Sequence, residues 1–176
     1  MQRRQIDIDA FVVEARSLWA RDWLLLTAGD YESGKYNAMT VGWGSFGVMW
    51  NLPFAQVVVR PTRHTFKFME EYDSFTLTAF PDSRRDALKM LGTLSGRDGD
   101  KITRSGLTPI PSSKVASPGF DEASLVVECR KIYWDDFDPS RFLSSRIEPC
   151  YPQKDYHRIY FGEIVAVEGE DRFAAK

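Results

Sequence analysis

The segment 59–65, VRPTRHT, concentrates residue types that bind phosphate groups. Arg60 and Arg63 supply two guanidinium groups, which form short, charge-assisted hydrogen bonds with phosphate oxygens. Thr62 and Thr65 supply hydroxyl groups. The residues that follow have the pattern of a helix start, where free N–H groups and the helix dipole favour an anion. The segment therefore indicates a site for a phosphate or a similar anion.

The same residues also allow a purely structural interpretation. Thr62 would be the N-cap of the helix, and Arg60 and Arg63 would pair with surface carboxylates such as Glu70. The loop 95–101, SGRDGDK, either supplies a further cation to the same ligand or is a solvated turn. The sequence pattern alone leaves these alternatives open.

Three glycines, Gly42, Gly44 and Gly47 in VGWGSFGVMW, match the G-x-G-x-x-G pattern of loops that bind dinucleotide pyrophosphates. That function needs a helix that begins within the pattern and an acidic residue about 20 positions later. Pro53 and an extended segment follow instead, and no carboxylate occurs before Glu70. The pattern therefore indicates a bend or bulge in a sheet, or a backbone segment that lies against a flat ligand.

His157, in KDYHRIYF, is a candidate for acid–base chemistry, although a lone histidine before a strand is more often structural. No G-x-S-x-G motif is present, so a nucleophilic triad is not indicated. Cys129 and Cys150 are the only cysteines and do not cluster with either histidine. They are expected to be two reduced thiols, and no metal site is predicted.

The elements that must position these residues are mostly strands. Short apolar or alternating runs predict strands at 23–28, 36–43, 54–60, 74–80, 125–134 and 160–168. Apolar spacing and helix-start signals predict helices at 5–20, from Thr62 onward and at 83–91, with a short helical turn at Asp138-Pro139. A Gly-, Pro- and Ser-rich connection, 92–121, is long enough to be a lid, a binding loop or a segment that wraps a partner subunit.

This order of elements predicts a mainly β protein, with antiparallel strands closed into a barrel and a few helices packed outside it. The length of 176 residues, with 43% hydrophobic residues, predicts a single domain, 1–176. A net charge of −2 argues against a nucleic-acid partner. No apolar run is long enough to span a membrane, so a cytoplasmic location is expected.

Four ordered motifs resemble the flavin reductase-like, FMN-binding split-barrel proteins, in particular their flavoredoxin-like branch. The motifs are NAMTVGWGSFGVMWNLPFAQVVVRPTRHTFKFMEEYDSFTLTAFP, SGRDGDK, LVVECRKIY and DYHRIYFGEIV. The resemblance covers most of the chain. It implies an antiparallel split β-barrel of Greek-key type that forms a homodimer, with FMN held non-covalently near the subunit interface.

The resemblance also implies the residues that contact FMN. The isoalloxazine ring and ribityl chain would be lined by Asn37, Ala38, Met39, Thr40, Val41, Gly42 and Trp43. The phosphate would be held by the turn Arg60, Pro61, Thr62, Arg63 and Thr65, and approached by Ser95, Arg97 and Lys101. Relatives often carry Gly-Asp-His where this chain has Asp155-Tyr156-His157, a motif associated with nicotinamide access. His157 matches and the two residues before it do not, so NAD(P)H as the electron donor is an open question.

The implied function is that of an FMN-dependent oxidoreductase. Electrons would pass from a reduced nicotinamide or a protein donor to a flavin, a ferric or small quinone-like acceptor, or a redox protein. Two alternatives remain open: a non-enzymatic flavin- or haem-binding module on the same barrel, and a structural dimer with a vestigial pocket.

Overall fold

The computed structural model describes residues 2–175, which form ten strands and four α-helical segments. The strands are β1 Arg4–Ile6, β2 Leu24–Asp30, β3 Lys35–Val41, β4 Gly44–Met49, β5 Leu52–Val59, β6 Ser74–Ala79, β7 Pro109–Ile110, β8 Gly119–Phe120, β9 Leu125–Asp136 and β10 Arg158–Gly169. The helices are α1 Ala15–Ser17, α2 His64–Glu71, α3 Arg85–Thr93 and α4 Lys101–Ser105. All six predicted strands are present, with boundaries shifted by a few residues.

Eight strands form one antiparallel sheet in the order β3-β2-β6-β9-β10-β5-β4, with β1 added to β10. The strands enclose a core of side chains from β2, β3, β5, β6, β9 and β10. The two ends of this order, β3 and β4, follow each other in the chain and are not hydrogen-bonded to each other. β3 is therefore an edge strand whose outer backbone groups are free to bind something else.

The helices lie outside the barrel, as predicted. α2 packs on β2 and β3, and α3 packs on β3 and α4. A second apolar cluster, which includes Leu88, Leu91 and Ile102, fills the space between α3, α4 and the sheet. Because α3 packs on β3, this helix lies directly beside the free edge of the strand.

Thr62 is not the N-cap of α2, so that prediction is wrong. The helix begins at His64, and its N-cap is Arg63, whose side chain makes no capping hydrogen bond. The Thr62 hydroxyl lies instead 3.4 Å from an oxygen of Asp155. No side chain therefore caps the first turn of α2, and its N–H groups remain available to a ligand.

The predicted helix 5–20 is also wrong. The first part of this segment is the strand β1. β5 pairs only with residues Arg158–Glu163 of β10, and β1 pairs with the later residues of β10, Val167 to Gly169. Ile6 is buried by this pairing. In this N-terminal segment, helical structure is limited to a 3₁₀ turn at Ile8–Ala10, to α1 and to a π-helical turn at Leu18–Asp22.

β4 was not predicted as a strand, because its glycines favour a bend. It forms a hairpin with β5 through Trp50 and Asn51, whose φ values of 54° and 59° fit a two-residue hairpin turn. Pro53 is tolerated in β5 because pairing with β10 begins only at Phe54. Gly44 and Gly47 of the glycine pattern therefore lie in an edge hairpin, and Gly42 lies between β3 and β4.

The long connection 92–121 is more ordered than its composition indicates. It contains α4 and the small β7–β8 sheet, and Gly106 ends α4 in the left-handed conformation. The short 3₁₀ turn predicted after Asp138 is present at Pro139–Arg141. Within residues 2–175, no helix is long and apolar enough to cross a bilayer.

Candidate functional site

Three depressions lie in a row along β3 and the elements beside it. The first, which we call the basic pocket, has a volume of about 100 Å³ and is lined by Thr62, Arg63, Thr65, Ser95, Arg97 and Lys101, with His64, Thr93 and Leu94. The second, the β3 groove, measures about 540 Å³ and lies between Trp23, Thr40, Gly42, Leu88, Gly92 and Thr93. The third, the His157 cleft, measures about 220 Å³ and lies between residues 39–43, Val58, Arg60 and His157.

These depressions adjoin one another. The basic pocket and the β3 groove share Thr93, and the groove and the His157 cleft share Thr40 and Gly42. The arrangement forms a continuous path from a small cationic pocket, along a largely apolar groove, to a cleft with one histidine.

The basic pocket brings together three cations without a carboxylate partner among residues 2–175. Arg63 donates to the carbonyl oxygen of Gly92, and Arg97 donates to that of Thr62 at 3.2 Å. Lys101 is 4% exposed and donates to two carbonyl oxygens at the end of α3. Burial, and then the charge of Arg63, lowers the pKa of Lys101 to about 8. Crowded cations with no counter-charge are typical of an anion site.

The pocket is held in shape by contacts between three chain segments. Asn37 of β3 donates to the Thr65 hydroxyl at 2.7 Å, and both side chains are buried. Gly96 lies so close to Asn37 and His64 that a Cβ there would overlap both side chains. The loop that carries Ser95 and Arg97 therefore packs directly on β3 and the start of α2.

His64 lines the basic pocket and was not predicted as a site residue. Its Nδ1 is buried without a hydrogen-bond partner within residues 2–175. Burial, followed by the charges of Arg97, Lys67 and Lys101, lowers the pKa of the imidazole. A histidine at the first position of a helix gives no sequence signal of its own, which is why the prediction missed it.

Residues 39–43 of the predicted run 37–43 line the path, whereas Asn37 lies outside the three depressions and Ala38 is buried in the second apolar cluster. The side chains of the run alternate in direction. Thr40 donates to the carbonyl oxygen of Leu88 at 2.5 Å, which places it on the side of α3. Met39 and Val41 are buried in the barrel core. A ligand beside β3 can therefore contact Met39 and Val41 chiefly through the free backbone groups of the edge strand.

Arg60 is directed away from the basic pocket. Its guanidinium forms an ion pair with Asp155 at 2.6 Å and donates to the carbonyl oxygen of Cys150 at 2.8 Å. It also lies 5.1 Å from the centre of the Tyr151 ring. Pairing of Arg60 with a carboxylate was one of the two sequence alternatives, although the partner is Asp155 rather than Glu70. The role of Arg60 in binding a phosphate stays a prediction.

His157 is buried at the far end of the path. Its Nδ1 lies 2.8 Å from the hydroxyl of Tyr151, and its ring centre lies 5.2 Å from that of Trp43. Burial, followed by the charge of Arg60, lowers the pKa of His157 to about 4, so the imidazole is neutral near pH 7. Its position in the cleft agrees with a role in access to a ligand, and that role stays a prediction.

The comparison with known proteins identifies the family. The sequence model of the flavin reductase like domain matches residues 17–175. This chain belongs to the flavin reductase-like family. The predicted family and its antiparallel split-barrel fold are thereby confirmed.

Solved structures of flavin reductase-like proteins superpose on most of the chain. The FMN-binding domain of a flavin reductases-like enzyme from Shewanella baltica OS155 has a TM-score of 0.68 at 16% identity, covering 96% of this chain and 77% of that one. Flavoredoxin from Methanosarcina acetivorans has a TM-score of 0.64 at 25% identity, covering 85% and 69%. Nitrilotriacetate monooxygenase component B from Bacillus cereus has a TM-score of 0.68 at 17% identity, covering 92% and 77%.

The buried His157 of this flavin reductase-like protein predicts a pH dependence of stability. Its folded-state pKa is about 4, below the ordinary value of 6.5, so the unfolded chain binds one more proton between these pH values. Stability therefore rises with pH across this window and falls on acidification. Between pH 7 and pH 4 we expect the free energy of unfolding of His157→Gln to fall by about 3 kcal/mol less than that of the wild-type protein.

Urea unfolding at both pH values measures this difference. His64→Gln is measured in parallel, because His64 is the only other histidine, is less buried, and also has a lowered pKa, so a smaller difference in the same direction is expected. Equal losses in the wild-type protein and His157→Gln would show that His157 titrates normally in the folded state.

Proposed function

We propose that this flavin reductase-like protein is an FMN-dependent oxidoreductase. The observation that carries the proposal is the continuous path from the basic pocket through the β3 groove to the His157 cleft. FMN has a phosphate at one end and a flat aromatic ring system at the other. The cationic basic pocket and the largely apolar β3 groove match these two parts.

The residues present fit the phosphate group. Arg63, Arg97 and Lys101 have no carboxylate partner within residues 2–175, and the first turn of α2 has no side-chain cap. Thr65 is anchored by Asn37, so its hydroxyl lies at a fixed position in the pocket. A dianion would offset the burial and the repulsion by Arg63 that lower the pKa of Lys101.

The residues at the other end fit a flat ring. Gly42, which lines both the β3 groove and the His157 cleft, leaves the backbone uncovered by a side chain, and Trp23 and Trp43 flank it. Ring edges that carry oxygen and nitrogen atoms can pair with the free N–H and C=O groups of an edge strand. We propose that residues 39–43 hold the isoalloxazine ring through these groups.

FMN, when bound, supplies hydride and single-electron chemistry, and the protein supplies position, exclusion of water and polar contacts. We propose that the Tyr151 hydroxyl donates to Nδ1 of His157, one of the two directions that this 2.8 Å contact allows. Nε2 of the neutral imidazole then carries the proton. It can donate a hydrogen bond to an oxygen of a molecule in the cleft.

The electron donor is proposed to be a reduced nicotinamide or a protein, and the acceptor a flavin, a ferric compound or a redox protein. Similarity to a flavoredoxin and to a monooxygenase component supports this range of partners.

Anaerobic addition of NADH, and then NADPH, to the FMN-loaded protein tests the proposal. Bleaching of the flavin spectrum with turnover of added FMN or ferric citrate is the expected result. A flavin spectrum that no donor bleaches would favour the binding-module alternative.

We also propose that the protein is a homodimer. An aromatic patch on the β4–β5 hairpin, β9 and β10 is open to solvent: Trp50 and Tyr133 are 56% and 44% exposed. Trp50 contacts Tyr133 and Phe161, and these two contact each other, so the three rings form one continuous surface. Exposed aromatic patches of this kind mark protein interfaces.

Replacement of Trp50 tests the dimer. We expect the wild-type protein to have twice the chain mass of 20.2 kDa in light scattering, and Trp50→Ala to shift toward the single-chain mass at micromolar concentration. A buried interface tryptophan typically contributes more than about 2 kcal/mol to association. Leu143→Ala is the control, because Leu143 is fully exposed and lies outside the patch. A wild-type protein that is monomeric at these concentrations would contradict the proposal.

A further inference from the structure

Trp23, which lines the β3 groove, has a backbone conformation that residues other than glycine rarely adopt. It lies between the π-helical turn Leu18–Asp22 and β2, with φ 63° and ψ 157°. This region is almost confined to glycine, because a side chain there crowds its own backbone. Strained residues persist where the surrounding structure holds them, and they concentrate at ligand sites. The indole of Trp23 is therefore a candidate for a specific role.

Arg85 holds both the backbone and the ring of Trp23. Its guanidinium lies 3.6 Å from the centre of the indole, within the distance of a cation–π contact. The same group donates to the carbonyl oxygen of Asp22, the residue before Trp23, at 2.9 Å. Arg85 is the first residue of α3, the helix that forms one wall of the groove. It therefore ties the N-terminal segment to α3 and covers one face of the indole.

Trp23 supplies the aromatic surface of the β3 groove. Within residues 2–175, the groove is otherwise lined by Thr40, Gly42, Leu88, Lys89, Gly92 and Thr93. The ammonium group of Lys89 is directed to Asp86, at 3.5 Å, and its side chain is 61% exposed. Trp23 packs on the second apolar cluster and is partly exposed. Its indole is therefore a half-buried, fixed surface against which a flat ring can pack.

Gly42 brings the indole beside the path. A Cβ at Gly42 would lie 3.3 Å from Cδ1 and 3.7 Å from Nε1 of Trp23. A flat ring against the uncovered backbone of Gly42 is therefore a neighbour of the indole. Because the guanidinium of Arg85 occupies one face of the indole, such a ring meets the other face or the edge. Both arrangements are favourable for a pair of aromatic rings.

We propose that Trp23 is a binding residue for the flavin, with its indole packed against the isoalloxazine ring in the β3 groove, and that Arg85 is the positioning residue that holds the indole there. The inference rests on the proposed function and adds two residues to the predicted site. The phosphate is assigned to the basic pocket, which neither residue lines. The contribution of Trp23 to binding is therefore independent of the phosphate.

Fluorescence titration of the full-length, flavin-free protein with FMN and with riboflavin tests the role of Trp23. Riboflavin has the ring and the ribityl chain of FMN but no phosphate. We expect Trp23→Leu to weaken the binding of both flavins by about 10-fold, with the ratio of the two dissociation constants unchanged. Trp134→Leu is the matched control and should change neither constant. Trp134 also carries a stacked arginine, Arg158 at 3.8 Å, but lines none of the three depressions of the path.

A double-mutant cycle tests the role of Arg85. In the wild-type background we expect Arg85→Gln to weaken both flavins by about 3-fold, the size of a lost cation–π contact. In the Trp23→Leu background it should have no effect, because Arg85 acts through the indole. Arg84→Gln, at the preceding position, is the control and should leave both affinities unchanged. Equal losses from Arg85→Gln in the two backgrounds would overturn its positioning role.

The outcomes separate the inference from the proposed function. If the wild-type protein binds FMN and Trp23→Leu binds both flavins as tightly as Trp134→Leu does, the inference is overturned while the function stands. If Trp23→Leu loses its native circular dichroism, Trp23→Phe decides instead. A smaller loss of affinity for both flavins is then expected, and unchanged affinities overturn the inference. If the wild-type protein binds neither flavin, the proposed function fails and the inference fails with it.

Discussion

The double variant Arg63→Ala/Arg97→Ala is expected to bind FMN about 100-fold more weakly than the wild-type protein. Each guanidinium lines the basic pocket and lacks a carboxylate partner within residues 2–175, so each is available to a phosphate. A hydrogen bond to a charged group contributes about 1.5–3 kcal/mol, and two such losses give at least this factor. Fluorescence titration of FMN against each variant measures the effect.

Two single variants sharpen this prediction. Arg104→Ala removes an exposed arginine on the nearby helix α4 and should leave the dissociation constant unchanged. Arg60→Ala should cost less affinity than Arg63→Ala, because Arg60 is paired with Asp155 and does not line the basic pocket. A larger loss of FMN affinity from Arg60→Ala than from the double variant would show that the phosphate binds on the side of the turn that faces Asp155.

A large loss of stability is expected from Gly44→Ala. A Cβ at this position would overlap the indole of Trp19 and the backbone carbonyl oxygen of Gln56. Trp19 is 5% exposed and belongs to the barrel core, so neither group can move without disturbing the packing. We expect a loss of about 3 kcal/mol in the free energy of unfolding, measured by urea denaturation.

Gly47→Ala is the matched control on the same strand. A Cβ there would meet only the edge of the Phe54 ring, at 3.1 Å, and Gly47 itself is exposed. We expect a change below about 1 kcal/mol. Equal losses from the two substitutions would mean that close packing against Trp19 does not explain Gly44.

The glycine pattern shows what sequence reasoning can and cannot decide. Pro53 and the missing carboxylate excluded a pyrophosphate loop, and the structure places Gly44 and Gly47 in β4. The close approach of Trp19 explains Gly44, but it depends on a contact across 25 positions of the chain. A local pattern contains no information about such a contact.

The candidate site was predicted where its residues are close in sequence. The turn 60–65 and the loop residues Ser95, Arg97 and Lys101 meet, apart from Arg60 and Pro61, in the basic pocket. The direction of Arg60 was not predictable, because Asp155 lies 95 residues away. His64 was missed for a similar reason: its environment is made by Gly96 and Lys101, which only the folded loop brings near.

The helix predicted for the N-terminal segment was wrong because its local apolar spacing favours a helix, whereas an open sheet edge pairs with its first residues. The pattern from Ile8 to Trp19 has the spacing of a helix, but β5 does not reach the last residues of β10, which are left without a neighbour on the side away from β9. Pairing of β1 with that edge satisfies backbone groups that would otherwise be exposed. Strand order, and therefore the open edge, cannot be derived from the segment itself.

The visible absorption spectrum after incubation with excess FMN and removal of free flavin tests the central claim most directly. The structure predicts one FMN per chain, a shifted flavin spectrum, and loss of that spectrum in Arg63→Ala/Arg97→Ala. A folded wild-type protein that remains colourless after this treatment would contradict the assignment of the path along β3 to a flavin.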